Sequence, residues 1–150
     1  NVRPGTLPLH QIVGLGVASK LANLRLEDDY LHYKLLHDRL WNSLKNLEGI
    51  IRNGSEKFHF PGILNISIDG IDGESLMLAL EPICVSQGSA CNSKSGESSF
   101  VLKALGCSDM QAHSSIRFSF GRDNTIEDID FVINHYVSSV SKLRSLAPEI

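Results

Sequence analysis

These 150 residues hold no long apolar run, no stripe of basic side chains and no Cys-x-x-Cys pair, and each absence closes off a class of function. A membrane-spanning helix needs about 20 apolar residues in succession, and nothing here approaches that, so no membrane partner is expected. Lys and Arg are scattered through a chain of formal charge −3, too sparse to neutralise a row of phosphates, so no nucleic acid is expected either. The three cysteines, Cys84, Cys91 and Cys107, are odd in number and too few to staple a small secreted fold. They point to a reducing compartment, the cytoplasm or an organellar matrix. Their spacings of seven and sixteen, with no histidine at ligand distance, also make a zinc site a poor reading, and no metal is expected. The N-terminus, Asn1-Val2-Arg3-Pro4-Gly5, has neither a starting Met nor a signal-peptide apolar region, so the chain reads as cut from a longer one.

What is present is an ordinary globular balance, 42% hydrophobic and 21% charged, in a length that suits one domain with a real core. Leu9, Val13, Val17, Leu21 and Leu24 recur at helical spacing and predict a first helix with one buried stripe. Gly14 and Gly16 within it suggest close packing on another element. Tyr33, Leu36, Leu40, Leu44 and Leu47 predict a second, longer helix. The period then changes: Leu64, Ile66 and Ile68 alternate with Asn65 and Ser67 as a half-buried strand does. A short helix from Glu74 to Leu80 ends at Pro82, and Ile83-Cys84-Val85 reads as a short buried strand. Phe100 to Leu105 is a helix stopped by Gly106, and Ser115 to Phe120 alternates again with Arg117 and Ser119 on the polar face. Thr125-x-x-Asp128 is a capping-box pattern opening a last helix with Ile129, Ile133, Tyr136, Val140 and Leu143 along one side. The order implies an α+β domain, a small antiparallel or mixed sheet covered by helices, without repeats or an interior linker.

Between Ser86 and Ser99 the chain is rich in Ser, Gly, Asn and Lys, which predicts a mobile loop over 86–99. Cys91 sits in it between small residues, Gly88-Ser89-Ala90 and Asn92-Ser93, able to present a thiol to a bulky partner. A thiol of ordinary pKa, about 8.5, is a few per cent thiolate at neutral pH and that fraction is strongly nucleophilic. The loop by itself is equally compatible with an accidental surface cysteine. Cys84, flanked by Ile83 and Val85, reads as buried, and Cys107 as structural. Arg117, in the middle of a strand, must aim its fork at a defined partner, either a substrate carboxylate or one of the chain's own acids. His10 and His113 read as making structural hydrogen bonds.

Four segments together form a pattern: Arg3-Pro4-Gly5-Thr6-Leu7-Pro8-x-His10-Gln11, Pro61-x-Ile63-Leu64-Asn65-x-Ser67, Gly88-Ser89-Ala90-Cys91, and His113-Ser114-Ser115-Ile116-Arg117-Phe118-Ser119-x-Gly121-Arg122. In order and over essentially the whole chain, this resembles the C-terminal small domain of cysteine desulfurases of the iron-sulfur cluster assembly type, class V aminotransferase relatives that use pyridoxal 5'-phosphate. The resemblance implies a reaction in which Cys91 takes sulfur from L-cysteine, L-alanine leaves, and the persulfide passes to a scaffold or other acceptor protein. It implies that Arg117 grips the substrate carboxylate and that Thr6 reaches the cofactor phosphate of the neighbouring subunit, hence a homodimer. It also implies that residues 1–25 connect to a large cofactor-binding domain that these residues do not contain. The family's lysine anchor lies in a Ser-x-His-Lys segment, and no lysine here has that context, so the chain alone is expected to be inactive. Lys94-Ser95-Gly96-Glu97-Ser98-Ser99 lacks the Pro often found after the matching Glu, which leaves loop conformation and acceptor preference open. The other readings are a stand-alone sulfur-carrier or docking module and a relative that splits selenocysteine.

Overall fold

A computed structural model describes residues 5–87 and 99–146. Among these residues six helices and four strands follow in the order α1 (Leu9–Leu24), α2 (Leu26–Leu44), β1 (Ile50–Arg52), β2 (Ile63–Ile68), α3 (Gly73–Ala79), β3 (Ser86–Gln87), α4 (Phe100–Ala104), α5 (Asp109–His113), β4 (Ile116–Ser119) and α6 (Ile126–Leu146). The strands form one antiparallel sheet in the order β1-β2-β4-β3, which bears out the α+β reading.

The core lies on one face of this sheet. Leu64, Ile66 and Ile68 of β2 and Ile116 and Phe118 of β4 point the same way, because side chains alternate along a strand. Against them pack Leu36, Leu40 and Leu44 of α2, spaced four apart on one face, and Ile129, Tyr136 and Val140 of α6. Burying a leucine side chain is worth roughly 1.5–3 kcal/mol, so the three fully buried leucines of α2 outweigh anything the helix gains on its exposed side. There a bidentate Arg39–Asp130 pair, at 2.6 and 2.7 Å, joins α2 to α6 in solvent.

The N-terminal ends of α3 and α6 are closed by side chains. Asp72 accepts from the Ser75 amide at 2.8 Å to start α3, and that bond, given by a backbone N–H, holds its carboxyl below the usual carboxylate range. Thr125 and Asp128 exchange the two bonds of the expected capping box, at 2.9 and 3.2 Å. Gly106, at φ +91°, ends the turn after α4, where a side chain would be strained.

Four expectations need correcting. The stripe of α1 is not buried: Leu9, Val13, Val17, Leu21 and Leu24 are all exposed, and a side chain added at Gly14 or Gly16 would meet nothing within 4 Å. Helical periodicity identifies a helix but not where its partner surface lies. Ile83-Cys84-Val85 is not a buried strand; pairing begins at Ser86, Cys84 is exposed, and Ile83 and Val85 are half-buried. The polar run from Ser86 consequently starts as strand, while residues 88–98 lie outside the described residues. Finally, β1 and α5 were not anticipated. Three strand residues are too few to show a period, although Ser108-x-x-Gln111, which makes a complete capping box, was a signal for α5.

Candidate active site

The sheet's other face carries the polar side chains. Asn65 of β2 stands opposite Arg117 of β4, and Arg117 stands opposite Ser86 of β3. On the far side, the backbone N–H of Asn53, the residue after β1, donates to the Asn65 carbonyl at 2.9 Å. One residue per chain segment therefore forms a row across the sheet, Asn53, Asn65, Arg117 and Ser86. The row floors a cleft of about 560 Å³, with Gln87 and Ser99 at its edge and Phe100, Leu102 and Leu105 from α4 and its C-cap among its walls.

Arg117 is the one charged residue among the described lining residues, so the cleft suits an anion. The guanidinium has no hydrogen-bond or ion-pair partner among the described residues. Of the two readings of this arginine, a structural ion pair with the chain's own acids thus finds no support in the described structure. A planar fork of donors left open in a cleft matches a carboxylate in a bidentate arrangement.

Several local contacts hold the cleft in shape. Gln87 Nε2 donates to the His113 carbonyl at 2.6 Å, tying the end of β3 to the end of α5. Gly73, first residue of α3, sits so close to that carbonyl and to the Gln87 amide that a methyl group would overlap both. His113 thus contributes its backbone, and its ring stays exposed. The Ser67 hydroxyl donates to the Gln111 carbonyl at 2.7 Å, fixing α5 on β2.

The other residues singled out from sequence fall elsewhere. Thr6 is exposed just before α1 and does not line the cleft; His10 is likewise exposed, on α1. Cys91 lies outside the described residues. Cys84 lines a separate small pocket of about 190 Å³, and the Cys107 thiol donates to Asn53 Oδ1 at 3.4 Å, a structural contact as expected. Asn53, Asn65 and Ser86 were not singled out. The alternation through 64–68 placed Asn65 on a polar face, but only the strand register shows that this face meets Arg117. Among the described residues no group of His, Cys, Asp or Glu could hold a metal ion, and no helix is long and apolar enough to cross a membrane.

An arginine left unpaired among the described residues, in a cleft on the polar face of a small antiparallel sheet, suits an enzyme that takes a carboxylate substrate. Residues 1–132 match the aminotransferase class-V family, and the chain belongs to that family. Among curated proteins it is 49% identical over 147 residues to a cysteine desulfurase IscS of Buchnera aphidicola subsp. Baizongia pistaciae, covering 98% of this chain and 36% of that relative. It is 49% identical, with the same coverage, to a cysteine desulfurase IscS of Klebsiella pneumoniae. Its fold superimposes on a NifS-like protein from Rickettsia africae with a TM-score of 0.80 at 28% identity, over 93% of this chain and 37% of that one. DndA from Streptomyces lividans matches with a TM-score of 0.58 at 28% identity, over 78% of this chain and 33% of that one. The chain spans about 36% of the length of the curated relatives it matches.

The described residues suit part of what a pyridoxal-phosphate site requires. Arg117 has the donor fork that a carboxylate would fit and Thr6 is exposed, but no lysine is among the described residues that line the cleft.

Proposed function

We propose that this chain is the small-domain part of a cysteine desulfurase, and that Arg117, Cys91 and Thr6 carry its share of the reaction. The observation that carries the reading is the Arg117 fork, unpaired among the described residues, in a cleft that Gln87 and Ser99 also line. Arg117 takes the carboxylate of L-cysteine in a bidentate grip, which fixes the substrate's orientation before any bond breaks. Cys91 follows Gln87 by four residues in the sequence. Its thiolate attacks the substrate sulfur; the new bond is sulfur to sulfur, the bond lost is carbon to sulfur, and the carbon keeps that electron pair and takes up a proton to leave as L-alanine. Pyridoxal phosphate, when bound, supplies the electron sink that makes that carbon–sulfur bond labile. The persulfide on Cys91 is then passed to an iron-sulfur scaffold or another acceptor protein.

Thr6 is assigned to the phosphate site of a neighbouring subunit in a homodimer. Residues 1–25, whose helix buries nothing within this chain, are assigned to the junction with a cofactor-binding domain. The half-buried thiol of Cys107 and the exposed one of Cys84, both free, suit a reducing cytoplasm. Because none of its lysines has the Ser-x-His-Lys context of the family's anchor, the chain by itself is assigned no turnover of cysteine, and release of alanine by the isolated chain would contradict this.

The decisive measurement is the intact mass of the pyridoxal-phosphate-loaded enzyme that contains this chain, after exposure to L-cysteine. A gain of about 32 Da per sulfur, removed by reductant and absent from Cys91→Ser, is the expected result. Release of alanine with no added sulfur on the protein would dismiss Cys91 as the acceptor.

A further inference from the structure

We propose that Asn65 is a second donor to the substrate carboxylate beside Arg117, its amide turned toward the cleft by a hydrogen-bond relay through Ser67 and Asn53. The proposal rests on Arg117 being the carboxylate anchor and adds to it a neutral group whose orientation the fold dictates.

The orientation follows from counting protons. The Gln111 carbonyl can only accept, so the Ser67 hydroxyl, 2.7 Å away, must spend its proton there. Ser67 Oγ is then an acceptor to its other neighbour, Asn53 Nδ2 at 2.7 Å. Asn53 must therefore turn its NH₂ inward, and the second proton of that group goes to Asn65 Oδ1 at 2.6 Å. The Cys107 thiol, donating to Asn53 Oδ1, agrees with the same orientation of the Asn53 amide. Ser67 is fully buried, so water does not compete for the first link.

The carbonyl half of the Asn65 amide is thus consumed, and its NH₂ has no acceptor among the described residues. Asn65 stands directly opposite Arg117 in the strand register, and both line the cleft. A guanidinium fork and an amide NH₂ side by side form an array of donors without an acceptor, complementary to a carboxylate and unsuited to an ammonium group. The bland reading makes Asn65 merely the terminus of the Asn53 network, but that reading leaves two amide protons without an acceptor among the described residues, next to the one charged residue of the described lining. Asn65 is accordingly a binding residue, and Asn53 and Ser67 are positioning residues.

The test compares L-alanine with ethylamine, which differ by the carboxylate, as ligands of the pyridoxal-phosphate-loaded enzyme containing this chain, with dissociation constants read by calorimetry. Losing one hydrogen bond to a charged group, Asn65→Ala should weaken L-alanine about tenfold or more while leaving ethylamine within about twofold. Asn53→Leu is neutral and can no longer donate to Asn65, so the amide loses its fixed orientation and a selective loss of L-alanine is expected without touching Asn65 or adding charge to the cleft. If Asn65→Ala fails to fold by circular dichroism, Asn53→Leu carries the test. Equal effects on both ligands, or none on either, overturn the proposal. Arg117→Ala separates the two levels: if it weakens L-alanine selectively and the asparagine variants do not, the anchor stands and Asn65 falls. If Arg117→Ala also leaves L-alanine unaffected, the carboxylate site itself is misplaced.

Discussion

His37 lies buried on α2, with Nδ1 3.1 Å from Asp38, its ring stacked 4.9 Å from that of His59, and Nε2 without a partner among the described residues. Burial lowers its pKa from 6.5; Asp38 opposes the shift through a hydrogen bond, while Arg52 and His59 reinforce it. The folded chain therefore keeps His37 neutral at a pH where the unfolded chain would protonate it. With more protons bound to the unfolded state, stability rises with pH across that interval. We predict that thermal stability declines as pH is lowered from about 7 toward 5, and that His37→Phe shows a smaller decline over the same range. Equal declines in the two proteins would mean that other groups govern the acid response. Tyr136 differs in kind: burial raises its phenol well above the ordinary range, so it stays neutral throughout and its unpartnered hydroxyl is a fixed cost of the core.

Among the elements, α6 depends most visibly on its cap. Thr125 satisfies the Asp128 amide at the mouth of a 21-residue helix that holds the far side of the sheet in place. Replacing it with alanine should cost about 1 kcal/mol of unfolding free energy in a denaturant titration, with an unchanged slope. No measurable loss would show that the end of α6 is held by packing. Elements whose burial follows a regular period were legible from sequence: α2, β2, β4 and α6 are where the spacing of Leu36 and Leu40, Leu64 and Ile66, Ile116 and Phe118, and Ile129 and Tyr136 put them. β3 was displaced because Ile83-Cys84-Val85 has the composition of a buried strand. The pairing is instead made by Ser86 and Gln87, whose backbones meet β4 and which both line the cleft.

At the scale of the whole molecule, α1 is the anomaly. Leu9, Ile12, Val13, Leu15, Val17, Leu21 and Leu24 are all exposed, Leu15 by 71%, on a helix that buries no side chain. Contiguous apolar surface of this kind marks a face meant to be covered. Deleting residues 1–24 should change the unfolding free energy by less than about 0.5 kcal/mol, the range of surface substitutions away from packed sites. The same deletion should reduce self-association of the isolated chain in analytical ultracentrifugation. A loss of several kcal/mol would show instead that α1 packs on the core in solution.

Local chemistry determined which segments become helix or strand, where the caps lie, and which face of β2 and β4 is polar, because those properties depend on neighbours three, four or two residues away. The resemblance carried by Gly88-Ser89-Ala90-Cys91 and Ser115-Ile116-Arg117-Phe118-Ser119 pointed to the same family as the comparisons with known proteins. Only the tertiary structure decided that Asn53, Asn65, Arg117 and Ser86 form one row, that the arginine is left unpaired among the described residues, and that the stripe of α1 faces outward. Strand order and register join residues dozens of positions apart, and an alternating pattern states which way a side chain points without stating what it will meet.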